Sequence, residues 1–248
     1  MRGRSPNGIC RLLAWLLLPA SGAAWADSGE DADCRPPIAP KLPHYVIGYG
    51  SLMETASKDR TWEGTGMNLP VRLRGYERSW TARSTAIGFS TTFLAAAPKE
   101  GAEMVAALDR VFDPASFTAG DAREAYYCRA EVEPGRITPL DGSGLPNRGR
   151  FWIYLLKPES RHPADGRFPI VQSYVDIFLN GCLELADLVV AADLDFAAAC
   201  VTTTAGWSRH WVNDRVHPRR PYDVPNALRI DRLLQRLLPQ QFEAIRIE

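Results

Sequence analysis

Apolar and polar positions change their period twice along this chain. Residues 44–49, His-Tyr-Val-Ile-Gly-Tyr, form a short, nearly continuous apolar run that ends in small residues at Gly50 and Ser51. The run predicts a buried strand with a turn at its tip. Residues 70–84 alternate, which predicts a strand pair or one long bent strand. Two apolar runs, 91–98 and 103–112, flank Lys-Glu-Gly-Ala, and that pattern predicts a hairpin turning at Gly101. Residues 113–125 open with Asp-Pro and have helical spacing. Residues 126–133 and 150–157 predict two further strands, separated by a Pro- and Gly-rich surface loop. After Pro169 the period lengthens. Ile170, Val171, Tyr174, Ile177, Phe178 and Leu185 recur at helical spacing. Residues 193–204 continue as helix or helical turns, 207–225 are irregular and rich in Arg and Trp, and 226–238 form an amphipathic helix with Asn226 as its N-cap. Strands come first and helices last. The expected class is α+β: a mixed, mostly antiparallel sheet or barrel with surrounding helices and a helical C-terminal extension.

The N-terminus changes this picture. Arg2, Arg4 and Arg11 precede or border a short apolar run, and Ala-Trp-Ala at 24–26 is a small-x-small cleavage pattern. Residues 1–26 therefore read as a secretory signal peptide. The run is shorter than the roughly 20 residues of a membrane span. Residues 27–43 read as a Pro-rich leader that Cys34 pins down. Without the three arginines of the signal the basic count falls from 29 to 26 against 29 acids, so nucleic acid is not an expected partner. Membrane contact is expected to be peripheral or none once the signal is gone, with export to a secreted or periplasmic compartment.

Cysteine usage fits that compartment. Cys10 leaves with the signal, and Cys34, Cys128, Cys182 and Cys200 remain, an even number with three possible pairings. Cys182 and Cys200 lie in neighbouring helical segments and form the preferred pair. Cys128 is expected to be disulfide-bonded or buried rather than catalytic. The cysteine spacings fit no zinc pattern, and His44, His162, His210 and His217 suggest no metal cluster. Hydrophobic residues make up 46% and charged residues 23% of the 248, enough for a packed core.

Two elements could carry chemistry. In the first, Gly48-Tyr49-Gly50-Ser51-Leu52, glycine lets backbone approach a ligand, and successive N–H groups form an anion-binding concavity. The same residues also suit a tight turn that closes a hairpin. In the second, Glu124 sits at a helix-to-strand junction before Tyr127 and Arg129. Partial burial there raises a carboxyl toward neutrality and suits general acid/base work. The alternative is an exposed glutamate paired with Arg123 or Arg129. Arg129 reads as positioning a neighbouring carboxylate, Arg83 as a possible contact to a substrate carboxylate, and the arginines of 213–221 as a solvated loop salted to nearby acids.

Taken together, the strand followed by Tyr49-Gly50-Ser51-Leu52, Gly75-Tyr76 on a second strand, the strand Ala-Ala-Leu-Asp-Arg-Val-Phe, and Glu124-x-x-Tyr127-x-Arg129 resemble the γ-glutamylcyclotransferase-like family. The later helix carrying Tyr174 resembles that family's late helix, whose tyrosine lies near the substrate. The resemblance covers roughly 44–185, with 186–248 a helical extension on the same domain. It departs from the family at Leu52, where Asn is common, and at Ala125, where Gly often stands. The resemblance implies an enzyme with neither metal nor cofactor that cyclises a γ-glutamyl group to 5-oxoproline, with Glu124 as acid/base. It implies a small γ-glutamyl substrate held by Gly48, Tyr49, Gly50, Ser51, Leu52, Tyr127 and Tyr174. A non-catalytic binder or a related γ-glutamyl acyltransferase on the same scaffold are the alternatives. The sequence names no leaving amine and no oligomeric state.

Overall fold

Strand β1 (His44–Gly48) is apolar on both sides because both sides are covered. Val46 enters a cluster with Trp62, Val111 and Trp152, and Ile47 enters another with Val71, Leu108 and Ile153. The computed structural model describes residues 34–85, 88–220 and 225–248. The expected signal peptide, 1–26, and the first part of the leader lie outside the described residues. The other strands of the main sheet are β2 (Leu69–Ser84), β3 (Thr91–Val111), β4 (Cys128–Val132), β5 (Ile137–Pro139), β6 (Arg150–Leu155) and β8 (Thr204–Ala205). Their order is β4-β6-β1-β3-β2-β5, with β8 beside β2. β1 runs parallel to β6 and β8 parallel to β2; the other pairings are antiparallel. The result is a mixed, curled sheet that opens as a half-barrel. Strands β7 (Ile170–Val171), β9 (Trp211–Asn213) and β10 (Arg246–Ile247) make a small parallel sheet. Ile170 and Val171 precede the late helix rather than belonging to it.

The expected hairpin around Gly101 does not form. Both of its apolar runs pair with β2: Tyr76–Ser84 faces 91–98, and Leu69–Arg74 faces 103–108. Lys99 to Ala102 loop out opposite Gly75. The reason is length, since β2 is 16 residues long and covers both runs. The bulge also flips the phase of β2. Val71 and Leu73 are buried before it, and Tyr76, Arg78, Trp80 and Ala82 after it. One extra residue moves the next set of side chains to the other face. Gly75 has φ +81°, the left-handed conformation that glycine adopts without strain.

The helices are α1 (Thr55–Asp59), α2 (Phe117–Arg123), α3 (Gln172–Ala186), α4 (Phe196–Thr202), α5 (Ala227–Leu237) and α6 (Pro239–Glu243). α3 is buried on nearly every side, with Tyr174, Phe178, Leu179 and Cys182 in one cluster with Trp80, Leu94 and Trp211. Its polar side chains are therefore all partnered, as burial demands. Asp176 accepts from Gln172 (2.8 Å) and from Arg215 (2.7 Å), and Arg215 also reaches Asp231 of α5. Asn226 precedes α5 as expected but makes no side-chain cap; its amide donates to Asn180 Oδ1 instead (2.8 Å). Ile230, Leu233 and Leu234 of α5 bury into the α3 cluster, so the C-terminal segment shares this core.

Both cysteine pairs are closed. Cys182 of α3 joins Cys200 of α4, with Cα atoms 6.5 Å apart, and Cys34 joins Cys128, with Cα atoms 4.6 Å apart. The second bridge fixes residues 34–43 beside β4, where Arg129 also donates to Pro36 O (2.6 Å). Denatured, unreduced protein should titrate no thiol except that of Cys10. Four further thiols would contradict both bridges. Among the described residues no helix is long and apolar enough to cross a membrane.

Candidate active site

The tip of β1 is clamped from outside the strand. Arg78 donates to Tyr49 O (3.3 Å), and Asn68 Nδ2 to Leu52 O (3.0 Å) and Met53 O (2.9 Å). With those carbonyls tied back, residues 50–53 form a 3-10 turn that passes under α3. Gly50 is required there because a Cβ would come within 2.8 Å of the Tyr174 hydroxyl. Gly48 meets a similar limit, 2.8 Å from the Leu52 Cβ. Leu52 itself points into the core beside Trp62 and Trp152. Tyr49 donates its hydroxyl to Tyr154 O (2.6 Å), and Tyr127 donates to Leu94 O (3.0 Å).

Arg78 is the unexpected member of this clamp. It is fully buried, and the oxygens it donates to are neutral: Thr204 Oγ1, Thr203 Oγ1 and the carbonyls of Tyr49, Val105 and Cys200. Burial lowers its pKa to about 9.

Glu124 closes α2. Gly120 lets that helix lie against the Trp62 ring, with no room for a Cβ. The Glu124 N–H donates to Gly120 O (2.9 Å), and its carbonyl accepts from Tyr127 N (2.9 Å), so the chain turns sharply into β4. The Glu124 side chain is 16% exposed. Arg123 donates to it through Nε (3.1 Å) and to Ser51 Oγ through Nη2 (3.0 Å). Arg123 is held in turn by Ser57 O (2.9 Å) and Thr61 Oγ1. Burial raises the Glu124 pKa above the ordinary value, and the charges of Arg123 and Arg220 pull it back in part. Glu124 thus pairs with Arg123 without being a surface group. Arg129 is turned elsewhere: it holds Asp121 and stacks over Phe117 and Trp152.

Two spaces share a wall at this point. The inner cavity is about 30 Å³, roughly one water, and is walled by Tyr49, Gly50, Ser51, Leu52, Leu94, Glu124, Tyr127, Tyr154, Tyr174 and Ile47. The outer chamber is about 670 Å³. Ser51, Glu124, Tyr127 and Tyr174 belong to both walls. Every expected site residue except Gly48 therefore borders the inner cavity. The Tyr49, Tyr127 and Tyr174 pKa values are all raised, chiefly by burial, so these phenols stay protonated near neutral pH. Among the described residues no group of three or more His, Cys, Asp or Glu side chains could hold a metal ion.

No protein-family model matches the chain, and no curated protein matches it in sequence. Solved structures do. The human protein loc79017 matches with a TM-score of 0.50 at 14% identity, over 66% of this chain and 89% of that one. A gamma-glutamyl cyclotransferase matches with a TM-score of 0.50 at 13% identity, over 65% of this chain and 88% of that one. This chain has a γ-glutamylcyclotransferase-like fold. At such identity the likeness is one of fold.

Within the γ-glutamylcyclotransferase-like fold, three arginines at the site escaped sequence reading. Arg123 was readable only as a surface partner of Glu124, yet it ties that carboxylate to the β1 turn. Arg78 sits on an alternating strand at a position that should have been apolar, and a cation in that phase was the available signal. Arg220 belongs to the irregular segment 207–225, where no local pattern points to a cavity. Two neighbouring arginines do pair with acids as expected, Arg215 with Asp176 and Asp231, and Arg219 with Glu248. Arg83 lies at the outer chamber, where Asp165 (2.6 Å) and Pro163 O engage it.

Proposed function

We propose that the chain is an exported γ-glutamylcyclotransferase that converts a γ-glutamyl amino acid, peptide or amine to 5-oxoproline and the free amine. The observation that carries this reading is a single, mostly buried carboxylate, Glu124, facing a water-sized cavity at a glycine-opened strand end. The reaction needs no enzyme nucleophile. The substrate's α-amine attacks its own γ-carbonyl carbon, a C–N bond forms, and the bond to the leaving nitrogen breaks. The α-ammonium loses two protons, one before attack and one after the C–N bond has formed, and Glu124 passes each to the leaving nitrogen, which departs as an ammonium, so protons balance and no water is consumed. The outer chamber has room for the glutamyl chain, and the wall it shares with the inner cavity, Ser51, Glu124, Tyr127 and Tyr174, constrains that chain so that amine and carbonyl meet, which is a proximity effect.

The roles follow from chemistry and position. A carboxylate whose pKa is raised by burial is a stronger base than an ordinary one. Ser51 and the N–H groups of the β1 turn hold the glutamyl end, and Tyr127 and Tyr174, as protonated phenols, flank it. Arg123 keeps the carboxylate and the turn in register. Residues 44–185 form the catalytic unit, and 186–248 pack on it as an extension. Two disulfides suit an oxidising compartment.

The test is direct. Purified protein lacking residues 1–26 is offered γ-glutamyl dipeptides, glutathione and γ-glutamyl amines, and 5-oxoproline is measured. Product from at least one class is expected. Product from none, with a ligand still bound, would make this a binding protein on the same scaffold.

A further inference from the structure

The outer chamber is wider and more apolar than the glutamyl chain requires. At about 670 Å³ it falls within the roughly 300–1,000 Å³ of sites that enclose drug-sized ligands. Phe93 and Leu156 form one part of its wall and belong to a cluster with Ala82, Ala95 and Tyr127. The Phe93 ring also meets Tyr174 edge-on, with centroids 4.8 Å apart. Ala119 and Ala122 of α2 form another part, and both are exposed. Their spacing puts them on one helix face, and their small side chains leave the space before them open. Tyr126 borders the chamber too, and it is 65% exposed, so most of its ring is available for contact.

The charges in this wall are committed. Arg123 donates to Glu124 and Ser51, Arg83 to Asp165 and Pro163 O, and Arg220 is engaged too. The Arg220 N–H donates to Ser173 Oγ (3.1 Å), which in turn donates to buried Asp214 (2.7 Å), so the C-terminal extension holds its part of the wall in place. Beyond Glu124 the chamber therefore offers a ligand mainly apolar and aromatic surface. Position decides which part of a substrate meets it. The leaving nitrogen must lie within reach of Glu124, which borders both spaces. The inner cavity has room for about one water, so the group on that nitrogen extends into the outer chamber. An aromatic side chain there loses its apolar surface from water and gains a ring contact with Tyr126.

We propose that the outer chamber selects a large aromatic group on the leaving nitrogen, with Tyr126 and the α2 face of Ala119 and Ala122 as its specificity surface. This rests on the cyclotransferase reading above. γ-Glutamyl-phenylalanine and γ-glutamyl-alanine differ only in the phenyl ring, and γ-glutamyl-glutamine carries a long polar side chain instead. The wild type should favour the phenylalanine compound over the other two in kcat/KM by about 10- to 100-fold, the range for burying a side chain of that size. Tyr126→Ala removes the ring, and Ala119→Trp fills the space. Both positions are exposed, so neither change disturbs the core. A several-fold fall in the ratio of phenylalanine to alanine compound is expected, and a fall in either variant upholds the assignment. A wild type that does not favour the phenylalanine compound over both others overturns it, as does a ratio that neither variant lowers. If the wild type makes 5-oxoproline from none of the three, the cyclotransferase reading falls, and calorimetry with the same compounds decides the chamber. Tighter binding of γ-glutamyl-phenylalanine that either variant weakens upholds it. Equal affinities, a preference that neither variant lowers, or binding of none overturns it.

Discussion

Glu124→Gln should lower 5-oxoproline formation by about 10²- to 10⁴-fold while leaving the protein folded. Glutamine keeps the size of the side chain and can still accept from Arg123, but it cannot take a proton from an ammonium. The wild-type rate should also fall on the acid side, because the reaction needs the ionised carboxylate. The midpoint of that limb should lie above the ordinary glutamate value of 4.5, since burial raises this pKa. Stability should move the other way. The folded protein holds the Glu124 proton more tightly than the unfolded chain does. Its stability therefore decreases as pH rises from the unfolded value through the raised one. The amide has no such titration, so Glu124→Gln should be at least as stable as the wild type at pH 7, and that advantage should shrink as pH falls toward 4. Retained turnover in the variant would remove Glu124 from the mechanism. A melting temperature well below wild type at pH 7 would contradict its burial as an ionised group.

The parts of this fold that could be read in advance are those set by local pattern. β1, its glycine turn, α2 and the Glu124 junction each depend on a few consecutive residues. The assignment of Glu124 also depended on its distance in sequence from the turn, because neither motif alone separates chemistry from a plain turn or a surface acid. What failed was partner choice. Residues 91–98 and 103–112 have the composition of a hairpin, yet each found a longer partner in β2. The flip of buried phase across Gly75, from Leu73 to Tyr76, was visible in the sequence as a fault in the alternation. Read as a bulge, it would have argued for a single long strand. Arg220 was out of reach for another reason. It is delivered by Asp214 bonding to Ser173, 41 residues away, and no short pattern encodes such a contact. Long-range polar anchors of this kind place side chains without leaving periodicity behind.

Gly181→Ala should reduce both stability and activity, even though alanine is the better helix former. Gly181 and Tyr174 are seven residues apart on α3 and so lie on one face, two turns from each other. Both face the segment that follows β1. A Cβ at 181 would sit 2.5 Å from Glu54 N, 2.5 Å from Met53 C and 2.7 Å from Met53 O. All three are backbone atoms, and Asn68 and the Glu54 cap hold that backbone in place. Helix propensity favours alanine by about 1 kcal/mol, whereas overpacking against a fixed neighbour costs about 1–3 kcal/mol and separates the two elements. Separation acts on the site directly. The Tyr174 hydroxyl rests over Gly50 only because the helix approaches this closely at Gly181, and a shift of the helix moves Tyr174 in the chamber wall and frees the glutamyl chain from its folded position. The expected result is a lower urea midpoint together with a loss in kcat that exceeds any change in KM, because positioning rather than contact is lost. An unchanged midpoint with unchanged kcat would show that α3 does not set the geometry of the turn.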